Sequence, residues 1–326
     1  MSNLKQRILS AVEADLGAVE AALSENLTPY LDQVSEAARH ILFSGGKRLR
    51  PLLMILSARL CGYAGDYDIT FSTSFEYLHA ATLLHDDLVD DADLRRGQPV
   101  AHSKWGNSTA VLVGDFLFAR ALSIAAETDR PEIIRVMAAI TEDMSQGEIH
   151  QLMRKGAVDL TESEYNEIIR RKTAILIQGA CRSGAILAGA GKDEEMGLAR
   201  YGFHIGIAFQ MADDLLDYIS DTHVLGKTVG ADLREGKLTL PVIYALAHAS
   251  EPDRVWMEGI IQKGAFTDDE FTRITGILEA YGGITHTRQM AVQHISTAKD
   301  ALSCFEPSKT KDILFDMADY ALERKI

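Results

Sequence analysis

Cysteine, proline and basic residues are scarce in this chain of 326 residues. Its three cysteines, Cys61, Cys181 and Cys304, lie far apart in the sequence, which excludes a disulfide scaffold and favours a reduced cytoplasmic compartment. Lysines and arginines number 33 against 47 aspartates and glutamates, so the net charge of −14 argues against a nucleic-acid partner. Neither an uncharged apolar run of about 18 residues nor a secretory signal is present, so we expect a cytoplasmic protein that does not span a membrane.

The seven prolines separate long stretches rich in alanine and leucine, in which apolar residues recur every three or four positions. Strands of alternating polarity are nearly absent, and two capping boxes, Thr161 with Glu164 and Thr267 with Glu270, indicate where helices begin. The sequence therefore predicts an all-α fold with ten or more helices. Loops are expected at Gly45–Arg50, Arg95–Asn107, Lys155–Leu160 and Ser220–Thr239.

Two acidic clusters interrupt apolar helical stretches, and each has the pattern Asp-Asp-x-x-Asp. The first and last aspartates of a cluster share a helix face, where like charges cost stability unless a cation compensates them. Carboxylates are hard ligands suited to Mg²⁺, which usually binds one or two of them together with substrate phosphates. A solvated acidic helix face is the alternative, and an EF-hand is excluded because the twelve-residue loop pattern is missing. The clusters are Asp86, Asp87 and Asp90, and Asp213, Asp214 and Asp217.

Basic residues that could bind a phosphorylated ligand occur in several separate places. Arginine forks and lysine ammonium groups suit a diphosphate, although each residue taken alone could equally be a solvated surface charge. The segment Gly45–Arg48 reads GGKR and lacks the GxxxxGK[ST] pattern, so the sequence does not support an ATPase. The candidates are Lys47, Arg48, Arg50, Arg95, Arg96, Lys172, Lys227 and Lys237.

Several ordered motifs together resemble those of the trans-type polyprenyl diphosphate synthases, a family of the isoprenoid synthase superfamily. The resemblance covers essentially the whole chain. It implies a single domain over residues 1–326, a helical bundle around a central active-site cavity, and a homodimer. The motifs are GGKRLRP (Gly45–Pro51), LLHDDLVDDADLRRG (Leu83–Gly97), GDFLFARAL (Gly114–Leu122), KTA (Lys172–Ala174), QMADDLLDYISD (Gln210–Asp221) and GKTVGADLREGKLTLP (Gly226–Pro241).

The resemblance also implies the reaction, in which isopentenyl diphosphate is added head-to-tail to an allylic prenyl diphosphate. Together, the two acidic clusters would hold three Mg²⁺ ions on the allylic diphosphate. The ligands would be Asp86, Asp87, Asp90, Asp213, Asp214 and Asp217. Thr173 and Gln210 would lie beside the developing carbocation and, with Lys172 and the aspartates, take part in catalysis. The allylic diphosphate would be bound by Arg95, Lys172, Lys227 and Lys237, and that of isopentenyl diphosphate by Lys47, Arg50, His79 and Arg96.

Two small residues precede the first acidic cluster and bear on product length. Ala81 and Thr82 lie about 6 to 7.5 Å deeper along the helix than Asp86. In the family, bulky aromatic residues at these positions block the growing chain, so small ones resemble the octaprenyl and decaprenyl synthases that make quinone side chains. We therefore expect a long-chain product, octaprenyl diphosphate, from a farnesyl or geranylgeranyl primer, with Met137 as one candidate for the tunnel floor.

Three alternatives stay open at this point. One is a shorter-chain synthase that makes farnesyl or geranylgeranyl diphosphate. Another is a terpene cyclase of the same fold, which would usually pair one aspartate motif with an NSE-type metal triad and is disfavoured by the second acidic cluster. The third is a non-catalytic partner subunit, which would be expected to have lost one of the two clusters.

Overall fold

A computed structural model of the chain describes residues 3–219 and 230–323, which are almost entirely helical. The all-α prediction is confirmed, and the described helices exceed the ten that were expected. The helices are α1 Asn3–Glu25, α2 Asp32–Leu42, α3 Leu49–Leu60, α4 Asp68–Val89, α5 Ala101–Trp105, α6 Asn107–Ala126, α7 Pro131–Met153, α8 Glu162–Ile169, α9 Ile175–Ala188, α10 Lys192–Ile219, α11 Ala231–Arg234, α12 Leu240–His248, α13 Glu251–Lys263, α14 Asp268–Ala280, α15 Gly283–Ala301 and α16 Lys309–Leu322. A π-helical turn, Arg170–Ala174, joins α8 to α9, and strands β1 Leu94–Arg95 and β2 Gln98–Pro99 form a short antiparallel hairpin.

Helix starts follow local sequence signals. Both predicted capping boxes form: Thr161 caps α8 and Thr267 caps α14, each exchanging hydrogen bonds with the glutamate three residues later. Four prolines lie in the first turn of a helix, where the missing N–H has no intrahelical partner to lose, at Pro51, Pro131, Pro241 and Pro252.

The predicted loops are correct in part. Gly45–Arg48 and Lys155–Leu160 are irregular, whereas α3 already begins at Leu49. Arg95–Asn107 contains part of the hairpin and all of α5, and the last predicted loop contains α11. Residues 220–229 of that last loop lie outside the described residues. Short elements of this kind carry too few residues to show a hydrophobic period, which is why the sequence did not indicate them.

The chain divides into two compact units. The first comprises Met1–Ala139, Gly179–Ala199 and Cys304–Asp316, and α4 is its most enclosed helix, packed against α1, α2, α3 and α6. Phe71, Phe75 and Tyr77 of α4 are fully buried, and the Tyr77 hydroxyl donates to the Leu23 carbonyl at 2.6 Å. Because α4 is buried on most of its surface, the first acidic cluster at its end stands on a rigid support.

The second unit comprises Ile140–Gln178, Arg200–Ser303 and Met317–Ile326. Within it α12 packs against α8, α14 and α15. Buried residues of α10, α12 and α14 share one apolar core, among them Met211, Leu215, Leu240 and Leu278. The second acidic cluster therefore lies on a helix whose other face is anchored in this core. The expectation of a single functional domain stays a prediction.

Helix α6 in the first unit is unusually apolar for a helix with an open face. By length and composition alone it is the one described helix that could cross a membrane, and 39% of its most apolar window is buried. Leu112 is 66% exposed and Val111 is 41% exposed. The two exposed apolar residues are adjacent in the sequence, at the start of the helix.

Candidate active site

The first acidic cluster forms the carboxyl-terminal end of α4. Asp86 and Asp87 belong to its last turn, and Asp90 is the residue that follows the helix, with its N–H donating to the Asp86 carbonyl at 2.8 Å. The predicted one-turn separation of Asp86 and Asp90 is therefore present. Asp91 has a positive φ of 50°, which ends the helix and turns the chain toward the hairpin.

The hairpin that follows presents two of the predicted cations. Arg96 and Gly97 both have positive φ, 53° and 76°, as the two central residues of a type I′ turn require. Arg95, one residue earlier, donates to Asp87 Oδ1 at 2.7 Å from both Nε and Nη2. Asp87 is only 2% exposed, and its Oδ2 is buried without a hydrogen-bond partner among the described residues. An enclosed carboxylate oxygen with spare acceptor capacity suits a cation.

His85 links the end of α4 to α6. Its Nε2 lies 3.1 Å from the Val111 carbonyl oxygen and 3.7 Å from a carboxylate oxygen of Asp115. A Cβ at Gly114 would stand 2.3 Å from the same nitrogen, so glycine is needed for the ring to lie there. The glycine of the GDFLFARAL motif is thus explained by its packing against His85, which the sequence alone did not indicate.

Arginines surround His79, which lies on α4 two turns before Asp86. The pKa of His79 is lowered well below its usual value, first by burial and then by the positive charges of Arg50, Arg96, Arg95 and Arg48. The histidine is therefore neutral in a strongly positive environment, which is the field that an anionic ligand requires. Three of the four residues predicted to bind isopentenyl diphosphate, Arg50, His79 and Arg96, are brought together here.

The fourth predicted residue, Lys47, lies in the exposed loop before α3. Arg96 of the hairpin holds this loop, because its Nη1 donates to the Gly45 carbonyl and lies 3.4 Å from Ser44 Oγ. Gly45 and Gly46 both have positive φ, 107° and 153°. This region of backbone conformation favours glycine.

Arg48 itself has a structural role that the sequence interpretation missed. Its side chain is 4% exposed and pairs with Glu20 Oε1 at 2.6 Å and Glu76 Oε1 at 2.7 Å, while Nη2 donates to the Leu42 carbonyl. Burial opposes the charge, yet the two carboxylates outweigh it and raise the pKa of Arg48. The buried pair joins the loop to α4 one turn before His79. A motif with three cations in four residues did not reveal which one points inward.

Ala81 and Thr82 lie in the same helix as His79. Ala81 is 2% exposed, and Thr82 is half-buried with its hydroxyl donating to the His79 carbonyl at 2.9 Å. Both side chains are small, so neither projects far from α4. Their role in product length stays a prediction.

The second acidic cluster belongs to α10 and is tied into a chain of hydrogen bonds. Thr173 Oγ1 donates to Gln210 Oε1 at 2.9 Å, and Gln210 Nε2 donates to Asp214 Oδ1 at 2.8 Å. The Tyr165 hydroxyl donates to the other oxygen of Asp214, which is 2% exposed. Burial, and after it the nearby Asp232 carboxylate, raise the pKa of Asp214 well above its usual value. The partners on both sides fix the orientation of the Gln210 amide.

The other two aspartates of this cluster are more accessible. Asp213 and Asp217 are half-buried. The carboxylate of Asp217 accepts from the backbone N–H groups of Ala231 and Asp232 at 3.0 and 3.1 Å, which satisfies the amino-terminal end of α11. Lys237 follows α11, with its Nζ 2.8 Å from Glu235 Oε2. Lys227 lies outside the described residues.

Lys172 lies in the π-helical turn, directly before Thr173. Its Nζ is 2.5 Å from Glu148 Oε2 on α7. The neighbouring Arg170 and Arg171 pair with Glu167 and Asp143 instead. The KTA motif is therefore anchored by the ion pair of Lys172 and by those of the two arginines before it. Sequence reasoning did not predict either the π-helix or Glu148.

Each cluster offers only part of a metal coordination shell. Within residues 3–219 and 230–323, no three histidine, cysteine, aspartate or glutamate side chains come close enough together to hold a metal ion. Mg²⁺ commonly takes one or two carboxylates and completes its shell with water and phosphate oxygens. The carboxylate donors of the two clusters, and the unpartnered Oδ2 of Asp87 in particular, fit this ion in the company of a diphosphate.

The chain is similar to several known proteins over nearly its whole length. The model of the polyprenyl synthetase family matches residues 31–278. Octaprenyl diphosphate synthase of Escherichia coli K12 is 36% identical over 319 residues, 98% of each chain. The crystal structure of a decaprenyl diphosphate synthase from Rhodobacter capsulatus superposes with a TM-score of 0.92 at 38% identity, covering 98% of both chains. A polyprenyl synthase from Caulobacter crescentus CB15, complexed with calcium and isoprenyl diphosphate, gives the same TM-score and coverage at 37% identity.

Proposed function

Since the chain belongs to the polyprenyl synthetase family, we propose that it is a long-chain enzyme that makes all-trans octaprenyl diphosphate for a quinone side chain. It is a trans-prenyltransferase, and the family joins isopentenyl diphosphate to allylic diphosphates. The observation that carries the long-chain proposal is the pair of small residues, Ala81 and Thr82, one turn before Asp86. The names of the relatives give different product lengths, octaprenyl and decaprenyl among them, so the similarity alone does not decide the product length of this chain.

We propose that the six clustered aspartates hold Mg²⁺ on the allylic diphosphate, with three ions per active site. Enzymes of this family generally depend on Mg²⁺. When bound, the ions would supply positive charge to the departing diphosphate. Five of the six offer carboxylate oxygens that such ions prefer: the half-buried Asp86, Asp90, Asp213 and Asp217 and the enclosed Asp87. The sixth, Asp214, already accepts hydrogen bonds from Tyr165 and Gln210.

The cations divide into two groups in this proposal. Arg95, Lys172, Lys227 and Lys237 bind the allylic diphosphate and stabilise the negative charge that develops on it as the C–O bond breaks. Lys47, Arg50, His79 and Arg96 bind the second diphosphate and hold the isopentenyl double bond near the cation it attacks. The neutral state of His79 supports a role as a hydrogen-bonding group between arginines, because another positive charge there would repel them.

Thr173 and Gln210 stabilise the carbocation in the same proposal. A carbocation is favoured by fixed dipoles whose negative ends face it and by the absence of water. The hydrogen-bond chain from Thr173 through Gln210 to Asp214 and Tyr165 supports this role, since it prevents the amide dipole from turning. The proton lost after condensation goes to the released diphosphate.

We also propose that the enzyme is a cytoplasmic homodimer and that its 326 residues work as one catalytic domain. The support for the dimer is the exposed apolar surface of α6 at Val111 and Leu112. A second copy of the same helix would remove these side chains from water, which contributes about 25 cal/mol for each Å² buried. The symmetric pairing of one surface with itself is the commonest arrangement of homodimers.

Product analysis tests the long-chain assignment. With farnesyl diphosphate, labelled isopentenyl diphosphate and Mg²⁺, we expect octaprenyl diphosphate as the main product after reversed-phase chromatography of the dephosphorylated chains. Products that stop at the farnesyl or geranylgeranyl stage would identify a shorter-chain synthase, and cyclic hydrocarbons would identify a terpene cyclase. Omitting Mg²⁺ is expected to remove all products, because the diphosphate then has no counter-charge from metal.

Single substitutions test the division between the two diphosphate pockets. Lys47→Ala and Arg96→Ala are expected to raise mainly the KM for isopentenyl diphosphate, whereas Lys237→Ala raises that for the allylic substrate. Losing one charged hydrogen bond costs roughly 1.5–3 kcal/mol, which is about a tenfold to hundredfold change. Initial rates measured against each substrate in turn give both constants. The division is wrong if each variant changes the KM of the opposite substrate.

A further inference from the structure

The π-helical turn that carries Lys172 and Thr173 is packed unusually tightly between two helices of its own unit. On α7, a Cβ added to Gly147 would lie 2.7 Å from Arg171 Cβ and 2.8 Å from the backbone nitrogen of Lys172. On α10, a Cβ added to Gly206 would lie 2.5 Å from Ala174 Cα and 2.9 Å from its Cβ. These are closer than non-bonded atoms approach each other, and the atoms in the way are backbone or Cβ atoms that cannot rotate aside.

The turn itself departs from regular helix geometry. Ile175 N–H bonds to the Arg170 carbonyl, five residues back, so one extra residue is accommodated in the turn. Single π-helical turns are rare, cost stability relative to a continued α-helix, and occur most often at functional sites. A widened turn needs more lateral room, and the two glycines on the flanking helices provide it.

Glu148, the residue after Gly147, binds the side-chain ammonium group of Lys172. Its Oε2 is 2.5 Å from Lys172 Nζ, while its Oε1 is buried without a hydrogen-bond partner among the described residues. A lysine ammonium has three N–H donors, so one can stay with Glu148 while the others bind phosphate oxygens. Two successive residues of α7 thus contact the backbone and the ammonium of Lys172.

We propose that Gly147, Glu148 and Gly206 form a clamp that positions Lys172 and Thr173 for the ionisation of the allylic substrate. None of these three was singled out by the sequence motifs. The inference rests on the proposed function, because it takes the roles of Lys172 and Thr173 from there. The clamp residues themselves touch no substrate; they act by fixing where the ammonium and the threonine hydroxyl point, and a misplacement of about 1 Å is enough to slow a reaction a hundredfold.

Alanine substitutions at matched helical glycines test the clamp. Gly147→Ala and Gly206→Ala are expected to lower kcat about tenfold to a hundredfold, with the KM for isopentenyl diphosphate unchanged within about twofold. Gly276→Ala on α14 is the control, since a Cβ there has nothing within 4 Å and alanine favours a helix interior. Its kinetic constants are expected to match those of the unchanged enzyme, and its Tm to be equal or higher.

Glu148→Gln is the milder variant and is decisive if the glycine variants do not fold. It keeps the volume and removes the charge that holds Lys172, so we expect a lower kcat and a severalfold higher KM for the allylic diphosphate alone, at an unchanged Tm. Equal changes in both KM values, or kinetics like those of the unchanged enzyme in a folded Glu148→Gln protein, would overturn the clamp.

Lys172→Ala separates failure of the clamp from failure of the function proposed for the lysine. If Lys172→Ala lowers kcat strongly while Glu148→Gln does not, the clamp is wrong and the role of Lys172 stands. If Lys172→Ala leaves the rate unchanged, the role of Lys172 is wrong and the clamp falls with it. The inference holds when Lys172→Ala and Glu148→Gln both act on the allylic substrate and their effects are not additive in the double variant.

Discussion

Replacing Asp86 or Asp213 with alanine is expected to remove nearly all turnover while the helices stay folded. Each change deletes a carboxylate proposed to hold Mg²⁺ on the allylic diphosphate, and the loss of about 4 kcal/mol of transition-state stabilisation corresponds to roughly a thousandfold. The fold is expected to tolerate both changes, because each also removes a like-charge repulsion at i, i+4 spacing with Asp90 or Asp217. Incorporation of labelled isopentenyl diphosphate measures the first effect, and circular dichroism with thermal unfolding the second.

Asp269→Ala provides the matched control for the metal ligands. Asp269 is an exposed aspartate in the first turn of α14 and belongs to neither cluster. Its loss removes a favourable charge at a helix amino terminus, worth about 0.3–1 kcal/mol of stability, and leaves kcat as it was. Full activity of either Asp86→Ala or Asp213→Ala would contradict the metal assignment for that cluster.

The second large effect concerns product length and comes from a single enlarged side chain. Ala81→Phe places an aromatic ring one to two helical turns from Asp86, in the proposed path of the growing chain. Passing it would need overpacking that costs roughly 1–3 kcal/mol or more, so we expect the main product to fall from about forty carbons to fifteen or twenty. Total isopentenyl incorporation should fall far less than length, because the diphosphate sites lie on the other side of the ring. Chromatography of the dephosphorylated products measures the result.

Ala80→Phe separates a blocked path from a weakened core. Ala80 is 4% exposed and neighbours Ala81 on α4, but its side chain points about 100° away around the helix. The ring is expected to lower Tm through overpacking and to leave the product length of the folded fraction unchanged. If the Ala81→Phe variant still makes a prenyl product of the wild-type length, the elongating product does not pass this face of α4.

Features that depend on nearby residues were predictable from the sequence. The capping boxes at Thr161 and Thr267 are satisfied within three residues, and the aspartates at i and i+4 share a face wherever a helix forms. The all-α fold follows from the same local periodicity. Arg50, His79 and Arg96, which the resemblance assigns to one pocket, lie near one another in the structure, and their roles stay predictions.

Features that depend on contacts between distant residues were not predictable. No residue close to Arg48 in the sequence indicates that its side chain is buried, because its partners Glu20 and Glu76 each lie 28 residues away. The pairing of Lys172 with Glu148 and the two glycines beside the π-helix are likewise properties of packed helices. A single sequence shows residue types and spacing, while such partners are set by the tertiary structure that brings helices together.

The arginines around His79 also carry a cost for the protein when no anion is bound. Arg48 and Arg95 are paired with carboxylates, but burial, and after it the positive charge of Arg95, lower the pKa of Arg96. A fold selected only for heat resistance would move such a charge away from its like neighbours. Selection for thermostability alone would therefore act against the arginines that are proposed to bind isopentenyl diphosphate. The residues proposed to bind substrate thus include a charge that costs stability, so stabilising substitutions are best sought away from α4 and its hairpin.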